Sequence, residues 1–246
     1  MNEKKTVLVT GATRGVGLAI ADTLIRSGYT VIATGRKESA ALAKLRASDP
    51  IAAERLRFME LELGDFSELH GFVKRLKAEH GPLWGLVNNA ALAHDGVLPT
   101  LHEKHIEETV AVNVTGTILL TKYALRTMLP LRCGRVVNIS SIVAHTGYSG
   151  LSVYAATKSA MIGFTRSLAR EVGKVGITVN AIAPGYMETD MSAGLGEEQL
   201  ASIRRRSPIG RLAQPEDVAG MVDFLLSEKS SGITGATHTV DAGTTA

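Results

Sequence analysis

The sequence lacks several features that mark specialised classes of protein. Its single cysteine, Cys133, cannot form an internal disulfide, which favours a reducing compartment. No apolar run reaches the roughly 18 residues that a membrane-spanning helix requires. The apolar stretch VLV near the N-terminus is too short for the core of a signal peptide. We therefore expect a cytoplasmic protein that does not associate with membranes.

Aromatic residues and concentrated charge are also scarce. Aromatics make up 4% of the chain, the formal net charge is +3, and the one dense basic cluster is Arg204–Arg206. A nucleic-acid-binding surface needs a basic stripe, often interleaved with rings on which bases stack. We expect no nucleic-acid partner, and a short basic cluster is by default a solvated face.

Metal-ligand patterns are missing as well. The seven histidines are dispersed, and only His102 and His105 share a predicted helix face at a spacing of i, i+3. No cysteine and carboxylate set lies near them to complete a metal site. We predict a solvated helix face and no metal site.

What the sequence has is a regular alternation of strands and helices along 246 residues, of which 45% are apolar. The predicted strands are 6–10, 29–34, 56–63, 83–89, 134–141, 176–185 and 238–243. The predicted helices are 17–28, 38–47, 66–80, about 101–129 and 152–173, the fourth beginning with Thr100 and Glu103 as a capping box. Apolar strands alternating with helices predict a parallel sheet covered on both faces. The fold class is therefore α/β, a Rossmann-type doubly wound sheet, with residues 1–246 forming a single domain.

A glycine-rich turn, TGATRGVG, links the first strand to the first helix. Gly11, Gly15 and Gly17 allow a tight turn and a close approach of the backbone to a ligand. The following helix directs its N-terminal N–H groups at the same place, which suits a pyrophosphate. The alternative is a tight turn without a ligand.

The end of the second strand indicates which dinucleotide binds. Enzymes that prefer NAD usually have a carboxylate there to bind the ribose hydroxyls. Here the residues are Thr34, Gly35 and Arg36, and Arg14 lies in the glycine-rich turn. Either arginine alone could be merely solvated, but two guanidiniums without a carboxylate favour the 2′-phosphate of NADPH.

A tyrosine and a lysine, Tyr154 and Lys158, are spaced by four residues in the predicted helix 152–173 and so share one helix face. A tyrosine and a lysine at this spacing, without other motifs, are usually surface residues of no functional importance. A lysine ammonium beside a phenol lowers its pKa from about 10, so that it exchanges protons more readily near neutrality.

Six motifs occur in order along nearly the whole chain: TGATRGVG, VNNA, VNVTG, NISS, YAATK and IAPGY. With them the sequence resembles the short-chain dehydrogenase/reductase family in its single-domain form. The resemblance implies that Tyr154 is the catalytic acid/base and that Lys158 binds the nicotinamide ribose and lowers the pKa of the tyrosine. It also implies that Ser141 hydrogen-bonds the substrate carbonyl and that Asn113 holds a water in a proton relay. By family spacing Ser141 is preferred to the adjacent Ser140.

The resemblance also implies the residues that bind NADPH. Asn89 lies beside the cofactor and Thr189 contacts the nicotinamide amide. The full predicted set is Gly11, Thr13, Arg14, Gly15, Val16, Gly17, Arg36, Glu62, Leu63, Asn89, Tyr154, Lys158, Pro184, Gly185 and Thr189. Two positions depart from the family pattern, which usually has Gly at Ala91 and Asp at Glu62. The extra methyl at Ala91 requires a negative φ, and Glu62 can still accept a hydrogen bond.

Two segments, 167–191 and 204–220, resemble in particular the family's 3-oxoacyl-[acyl-carrier-protein] reductases. The resemblance implies NADPH-dependent reduction of a 3-oxoacyl thioester in fatty-acid or polyketide-like synthesis. The alternatives are another carbonyl or alcohol substrate, such as an acyl-CoA, a sugar or a polyketide, or a non-catalytic NADPH-binding protein.

The expected partners are an acyl carrier protein and further copies of the chain. Arg132 matches a basic residue with which these reductases meet the carrier. The second basic position falls at Val175, where Lys174 is the adjacent substitute, and Arg204–Arg206 could add to the field. We expect these residues near the mouth of the pocket. The resemblance further implies a homotetramer or homodimer built through the two long helices.

Overall fold

Seven strands form one sheet in the computed structural model, which describes residues 5–187 and 197–246. Every neighbouring pair is parallel, and the spatial order is β3-β2-β1-β4-β5-β6-β7. The strands are β1 Thr6–Val9, β2 Thr30–Gly35, β3 Leu56–Glu60, β4 Gly85–Asn88, β5 Gly134–Ile139, β6 Ile177–Pro184 and β7 Thr237–Val240. The predicted parallel, doubly wound fold class is confirmed.

Ten α-helices are present in the described residues, and most cover the two faces of the sheet. They are α1 Gly15–Arg26, α2 Ala40–Ser48, α3 Pro50–Arg55, α4 Leu69–His80, α5 Glu103–Val110, α6 Thr117–Met128, α7 Val143–Thr146, α8 Ser152–Val172, α9 Glu197–Arg206 and α10 Pro215–Leu226. The alternation of the sequence did not predict α3, α7, α9 or α10. Within the described parts of the chain, none of the helices is both long and apolar enough to cross a membrane.

Two apolar cores lie on opposite faces of the sheet. One packs α1 and α10 against the sheet through side chains such as Ile20, Leu24 and Val222. The other packs α4, α6 and α8 through Phe72, Leu120 and Leu168. The strands β1, β4, β5 and β6 are buried along their whole lengths, which explains why their sequences are mostly apolar.

The direction of winding reverses between β1 and β4. The chain runs from β1 outward to β3 and then returns to form β4 on the other side of β1. The loops that follow β1 and β4 diverge at such a reversal and leave a crevice at the carboxyl edge of the sheet. The glycine-rich turn after β1 and the VNNA segment after β4 border this crevice.

The long helix predicted over about 101–129 is continuous but not uniform. A π-helical segment, Ala111–Gly116, separates α5 from α6. The predicted capping box is wrong: His102 occupies the N-cap position of α5 without a side-chain cap, and the Thr100 hydroxyl instead donates to the carbonyl of Val97 within a 3₁₀ turn. A π-helical insertion of this kind is often found at a functional site, and this one contains Asn113.

Candidate active site

One cavity of about 800 Å³ opens at the carboxyl edge of the sheet. Its walls come from segments that follow β1, β2, β4, β5 and β6, together with the start of α8. Among the predicted site residues it is lined by Gly11, Thr13, Arg14, Gly15, Val16, Gly17, Arg36, Glu62, Leu63, Asn89, Ser141, Tyr154, Lys158, Pro184 and Gly185. The structure thus brings together residues that are far apart in sequence.

The glycine-rich turn is a close-packed cradle. Gly11 and Gly15 have φ angles of 62° and 52°, in the left-handed region that favours glycine. Gly17 lies directly against the Gly11 carbonyl. A Cβ on Gly17 would collide with this carbonyl oxygen and would lie 2.6 Å from Asn89 Nδ2. The backbone leaves no room for side chains here, which is the property that a pyrophosphate site requires.

Asn89 connects the two loops that border the crevice. Its Nδ2 donates to the carbonyls of Thr10 (2.9 Å) and Gly11 (3.1 Å). The Thr10 hydroxyl in turn accepts from the backbone N–H groups of Asn89 (2.9 Å) and Ala90 (3.0 Å). Thr10 is a site-organising residue that the sequence reasoning missed, because its role depends on a loop 79 residues away.

The end of β2 has the predicted arrangement of charge. Arg36 is exposed and lines the cavity, with its Nε 3.8 Å from Glu62 Oε2. The other oxygen of Glu62 accepts from Gly64 N–H at 3.2 Å. A Cβ on Gly35 would lie 2.7 Å from the Thr13 methyl, so that a side chain at position 35 would displace the glycine-rich turn.

The departure at Ala91 is accommodated. Among the described non-glycine residues, those with a positive φ are Arg132 and Ala242, so Ala91 meets the condition of a negative φ. Ala91 lines the cavity beside Ala90.

Tyr154 and Ser141 lie close together in the wall of the cavity. The Ser141 hydroxyl lies close enough to the Tyr154 phenol to lower its pKa, and α8 supplies the tyrosine while the turn after β5 supplies the serine. The neighbouring Ser140 is buried, and its hydroxyl donates instead to the carbonyl of Lys158 at 2.8 Å. The preference for Ser141 over Ser140 therefore agrees with the geometry.

Lys158 is buried in the cavity wall one turn after Tyr154. Its Nζ donates to the Ile139 carbonyl at 2.8 Å and lies 5.5 Å from the centre of the Tyr154 ring. Burial lowers the pKa of Lys158 to about 8, because the charged form loses its hydration.

The pKa of Tyr154 is raised, whereas the expected effect of Lys158 is to lower it. Burial raises the pKa of the Tyr154 phenol to about 12, and the Ser141 hydrogen bond opposes this rise only in part. Desolvation is the largest cause of the rise, and the Lys158 Nζ is directed to the Ile139 carbonyl. Tyr154 is therefore protonated at neutral pH, the form that donates a hydrogen bond.

Asn113 lies in the π-helical segment between α5 and α6, and its role in a proton relay stays a prediction. Its side chain is buried and does not line the cavity. Its Oδ1 accepts from Leu92 N–H (2.7 Å), and its Nδ2 donates to the Leu92 carbonyl (2.8 Å) and to Thr157 Oγ1 (3.1 Å). Thr157 in turn donates to the Tyr154 carbonyl. The side chain of Asn113 thus joins the loop after β4 to α8, and we regard it as a positioning residue.

Two further predictions concern the segment after β6. Gly185 packs against Asp241, where a Cβ would lie 2.6 Å from the Asp241 side chain, and its N–H donates to the Val240 carbonyl. Thr189 lies outside the described residues. The residues just before it, Tyr186 and Met187, line the cavity, as does Tyr148 from the turn after α7. The sequence analysis did not single out these three, since nothing local to them signals a site.

A dinucleotide with a 2′-phosphate fits these residues. A Cβ at Gly11 or Gly17 would meet neighbouring atoms, and Arg36 lies in the cavity at the end of β2 with Glu62 3.8 Å from it. The cavity volume of about 800 Å³ falls within the range of cofactor and ligand sites, which is about 300–1,000 Å³.

Comparison with known proteins agrees with this geometry. Residues 11–245 match the model of a protein family described as Enoyl-(Acyl carrier protein) reductase. The 3-oxoacyl-[acyl-carrier-protein] reductase FabG of Salmonella typhimurium is 40% identical over 241 residues, covering 98% of this chain and 97% of that protein. The FabG of Aquifex aeolicus is 40% identical over 246 residues, covering 97% and 96%.

Solved structures give the same result. ElxO with NADP bound superposes with a TM-score of 0.89 at 31% identity, and the match covers 98% of each chain. A tyrosine-to-phenylalanine variant of ElxO with NADPH bound gives the same values. Together with the parallel seven-stranded sheet, the glycine cradle and the Ser141, Tyr154 and Lys158 cluster, these matches confirm the resemblance: the chain belongs to the short-chain dehydrogenase/reductase family.

Proposed function

We propose that this single-domain protein is an NADPH-dependent reductase that converts a 3-oxoacyl thioester, presented on an acyl carrier protein, to the 3-hydroxyacyl thioester. The observation that supports it best is the pairing of Ser141 with a protonated Tyr154 in a cavity whose other end is the glycine cradle and Arg36. The near-full-length similarity to 3-oxoacyl-[acyl-carrier-protein] reductases supports the substrate class.

The cofactor would be held by the chain's backbone at one end and by its charges at the other. The glycine cradle and the N-terminus of α1 would hold the pyrophosphate. Arg36, together with Arg14 of the glycine-rich turn, would hold the 2′-phosphate. When bound, NADPH supplies a hydride to the carbonyl carbon of the substrate.

Ser141 and Tyr154 act on the carbonyl oxygen. Both hydroxyls donate hydrogen bonds to it, so that the negative charge which develops on this oxygen is stabilised. The proton of the Tyr154 hydroxyl then moves to the oxygen and the O–H bond of the product forms. A phenol pKa of about 12 keeps that proton on Tyr154 until an alkoxide, a far stronger base than a phenolate, is there to accept it.

Lys158 and Asn113 hold this arrangement in place. Lys158 Nζ is anchored on the Ile139 carbonyl, one residue before the Ser140–Ser141 turn, and so ties α8 to the end of β5. Asn113 ties α8 to the loop after β4 through Thr157. The positions of Ser141 and Tyr154 relative to each other thus depend on both.

Enoyl thioester reduction is a second candidate, because the matched family model carries that description. In that reaction the proton must reach a carbon atom, whereas Ser141 and Tyr154 converge on one oxygen. We therefore favour ketone reduction. A non-catalytic NADPH-binding role is disfavoured because such a protein has no need of Ser141 and Tyr154 together in the cavity wall.

The decisive experiment is a substrate panel with NADPH. Purified protein is assayed with acetoacetyl thioesters on acyl carrier protein and on CoA, with a 2-enoyl thioester, and with a sugar ketone. We expect the highest kcat/KM for the carrier-bound 3-oxoacyl thioester. A higher kcat/KM for the enoyl thioester or the sugar, or binding of NADPH without turnover of any substrate, would contradict the proposal.

The expected position of the basic residues is wrong for Arg132 and Lys174. Arg132 precedes β5 and Lys174 precedes β6, and they contact each other, with Arg132 Nη2 3.5 Å from the Lys174 carbonyl. Ser141 follows β5, so Arg132 lies at the opposite edge of the sheet, about 20 Å away along a strand of this length. A carrier docked at Arg132 would reach the cavity of a neighbouring subunit more easily than that of the same chain, which suits the homodimer or homotetramer that we propose.

A nearer basic residue is Arg206, whose charge opposes the rise in the pKa of the cavity residue Tyr186. We propose that Arg206 helps to receive the acidic carrier. Arg206→Glu and Arg132→Glu/Lys174→Glu should each raise KM for the carrier-bound substrate several fold, more so at low salt, while a free 3-oxo ester is unaffected. Lys44→Glu is the matched control, since it reverses an exposed charge in α2, which lies between β2 and β3 in the chain, and these strands are at the other end of the sheet from β5 and β6. Equal effects on both substrates would contradict docking at the tested residues.

A further inference from the structure

Two tyrosines that the proposed mechanism does not use form one wall of the cavity. Tyr148 comes from the turn after α7, and Tyr186 follows Gly185 after β6. Their ring centres are 5.8 Å apart at an angle of 63°, an edge-to-face arrangement. Tyr148 is 45% exposed and covers Tyr186.

The turn that presents Tyr148 is fixed at both ends. Gly147 and Gly150 have φ angles of 69° and 84°, and Leu151 N–H donates to the Tyr148 carbonyl. The Gly150 carbonyl accepts from Gly96 N–H at 3.0 Å, which ties this turn to the loop after β4. Tyr148 is therefore held over the cavity by the backbone.

The Tyr186 hydroxyl is buried, and within residues 5–187 and 197–246 no donor or acceptor meets it in hydrogen-bond geometry, although the Tyr148 hydroxyl lies close enough to affect its pKa. Burial, followed by the nearby Tyr148 hydroxyl, raises the pKa of Tyr186 to about 12, so the group is a proton donor at any ordinary pH. A buried hydroxyl without a partner is unfavourable by about 1–3 kcal/mol. Such a group requires an explanation, and its place in the wall of a substrate cavity provides one.

A 3-oxoacyl thioester has two carbonyl oxygens separated by one methylene carbon. Ser141 and Tyr154 account for the 3-oxo oxygen. The thioester oxygen enters the same cavity and must lose its water there, so it needs a donor from the protein.

We propose that the Tyr186 hydroxyl donates a hydrogen bond to the thioester carbonyl of the substrate, and that Tyr148 shields this bond from water. The proposal rests on the function proposed above and deepens it. Tyr186 is then a specificity residue that distinguishes 3-oxoacyl compounds from simple ketones. A site with a donor placed for a second oxygen binds weakly any ketone that lacks it, because the donor is left unpaired.

The test compares two substrates on each variant. Ethyl 3-oxobutanoate has the second carbonyl, and 4-ethoxybutan-2-one has a methylene in its place. The ratio of their kcat/KM values is measured for the wild type, for Tyr186→Phe and for Tyr123→Phe, a matched control whose tyrosine does not line the cavity. If turnover of the ketone is too slow to measure, its competitive inhibition constant replaces kcat/KM.

We expect Tyr186→Phe to lower the ratio by about 3- to 10-fold, the effect of one neutral hydrogen bond, and Tyr123→Phe to leave it unchanged. The ratio does not depend on the fraction of enzyme that is folded. An unchanged ratio in Tyr186→Phe, or an equal fold loss of NADPH affinity, would overturn the proposal. Failure of the wild type to reduce any 3-oxoacyl compound would refute the proposed function instead.

Discussion

The two ends of the cavity are built in different ways. At the cofactor end, Gly11, Gly17 and Gly35 are packed so closely that a Cβ at each would meet another residue at 2.9 Å or less. At the substrate end, a Cβ on Gly147 would meet nothing within 4 Å, and Tyr148 is exposed. The cofactor end is therefore defined by backbone and the substrate end by side chains.

This difference has a functional consequence. The pyrophosphate is common to NAD and NADPH, and a backbone cradle that holds it accepts little variation. Substrates differ, and an open wall of side chains can change without disturbing the cradle or the Ser141 and Tyr154 pair. Substitutions at the two ends of the cavity, and where they meet, should therefore have different effects.

The largest effect is expected where the two ends meet. Tyr154→Phe removes one oxygen and keeps the ring, so kcat should fall by about 10²–10⁴-fold, the usual contribution of a general acid. The dissociation constant for NADPH, measured by fluorescence titration, should change by no more than a few fold. If the variant retained more than about a tenth of kcat, Tyr154 would not be the acid.

Lys158 lies at the same junction, and its burial predicts a pH-dependent stability. Its folded pKa of about 8 is below its ordinary value of 10.5, so between these values the unfolded chain binds more protons. Stability then rises with pH across this window. Relative to Lys158→Met, the wild type should gain up to about 3 kcal/mol between pH 8 and 10.5.

Urea unfolding at a series of pH values measures this difference. Tyr154, whose raised pKa acts in the opposite direction from pH 10 to 12, is present in both proteins and cancels in the comparison. If the stability curves of wild type and Lys158→Met were parallel across this pH range, folding would not lower the pKa of Lys158.

The cradle itself can be tested with a matched pair of alanine substitutions. Gly17→Ala forces a Cβ against the Gly11 carbonyl, so the free energy of unfolding should fall by about 1–3 kcal/mol and NADPH affinity by about 10-fold. Gly220→Ala in α10 meets nothing within 4 Å. It should stabilise the protein by about 0.4–1 kcal/mol and leave NADPH binding unchanged. Equal effects at both positions would refute the contrast between the two kinds of packing.

The smallest effect is expected at the exposed edge of the cofactor end. Arg36→Leu should reduce the preference for NADPH over NADH about fivefold, since an exposed charge pair contributes about 1 kcal/mol. Arg75→Leu is the matched control, because Arg75 is likewise exposed and paired with a glutamate, Glu68 at 3.9 Å, but lies outside the cavity. A carboxylate at Gly35 is a poorer test than its sequence position suggests, because its Cβ would meet Thr13. An unchanged cofactor preference in Arg36→Leu would mean that another residue binds the 2′-phosphate.

The sequence by itself determined most of the sheet and of the cofactor end. Apolar strands alternating with helices specify a parallel sheet. The glycine-rich turn after the first strand is recognisable from its own residues, without knowledge of any distant contact. Tyr154 and Lys158 are likewise local, being one helical turn apart.

Only the tertiary structure decided the rest, because the remaining properties arise from contacts between distant segments. Burial raised the pKa of Tyr154, the Leu92 and Thr157 contacts gave Asn113 a positioning role, and strand direction placed Arg132 at the far edge of the sheet. Tyr148 and Tyr186 are 38 residues apart and meet only because two loops end over the same cavity. Spacing along a chain specifies one turn of helix, but the depth of burial and the meeting of loops depend on the packing of the whole fold.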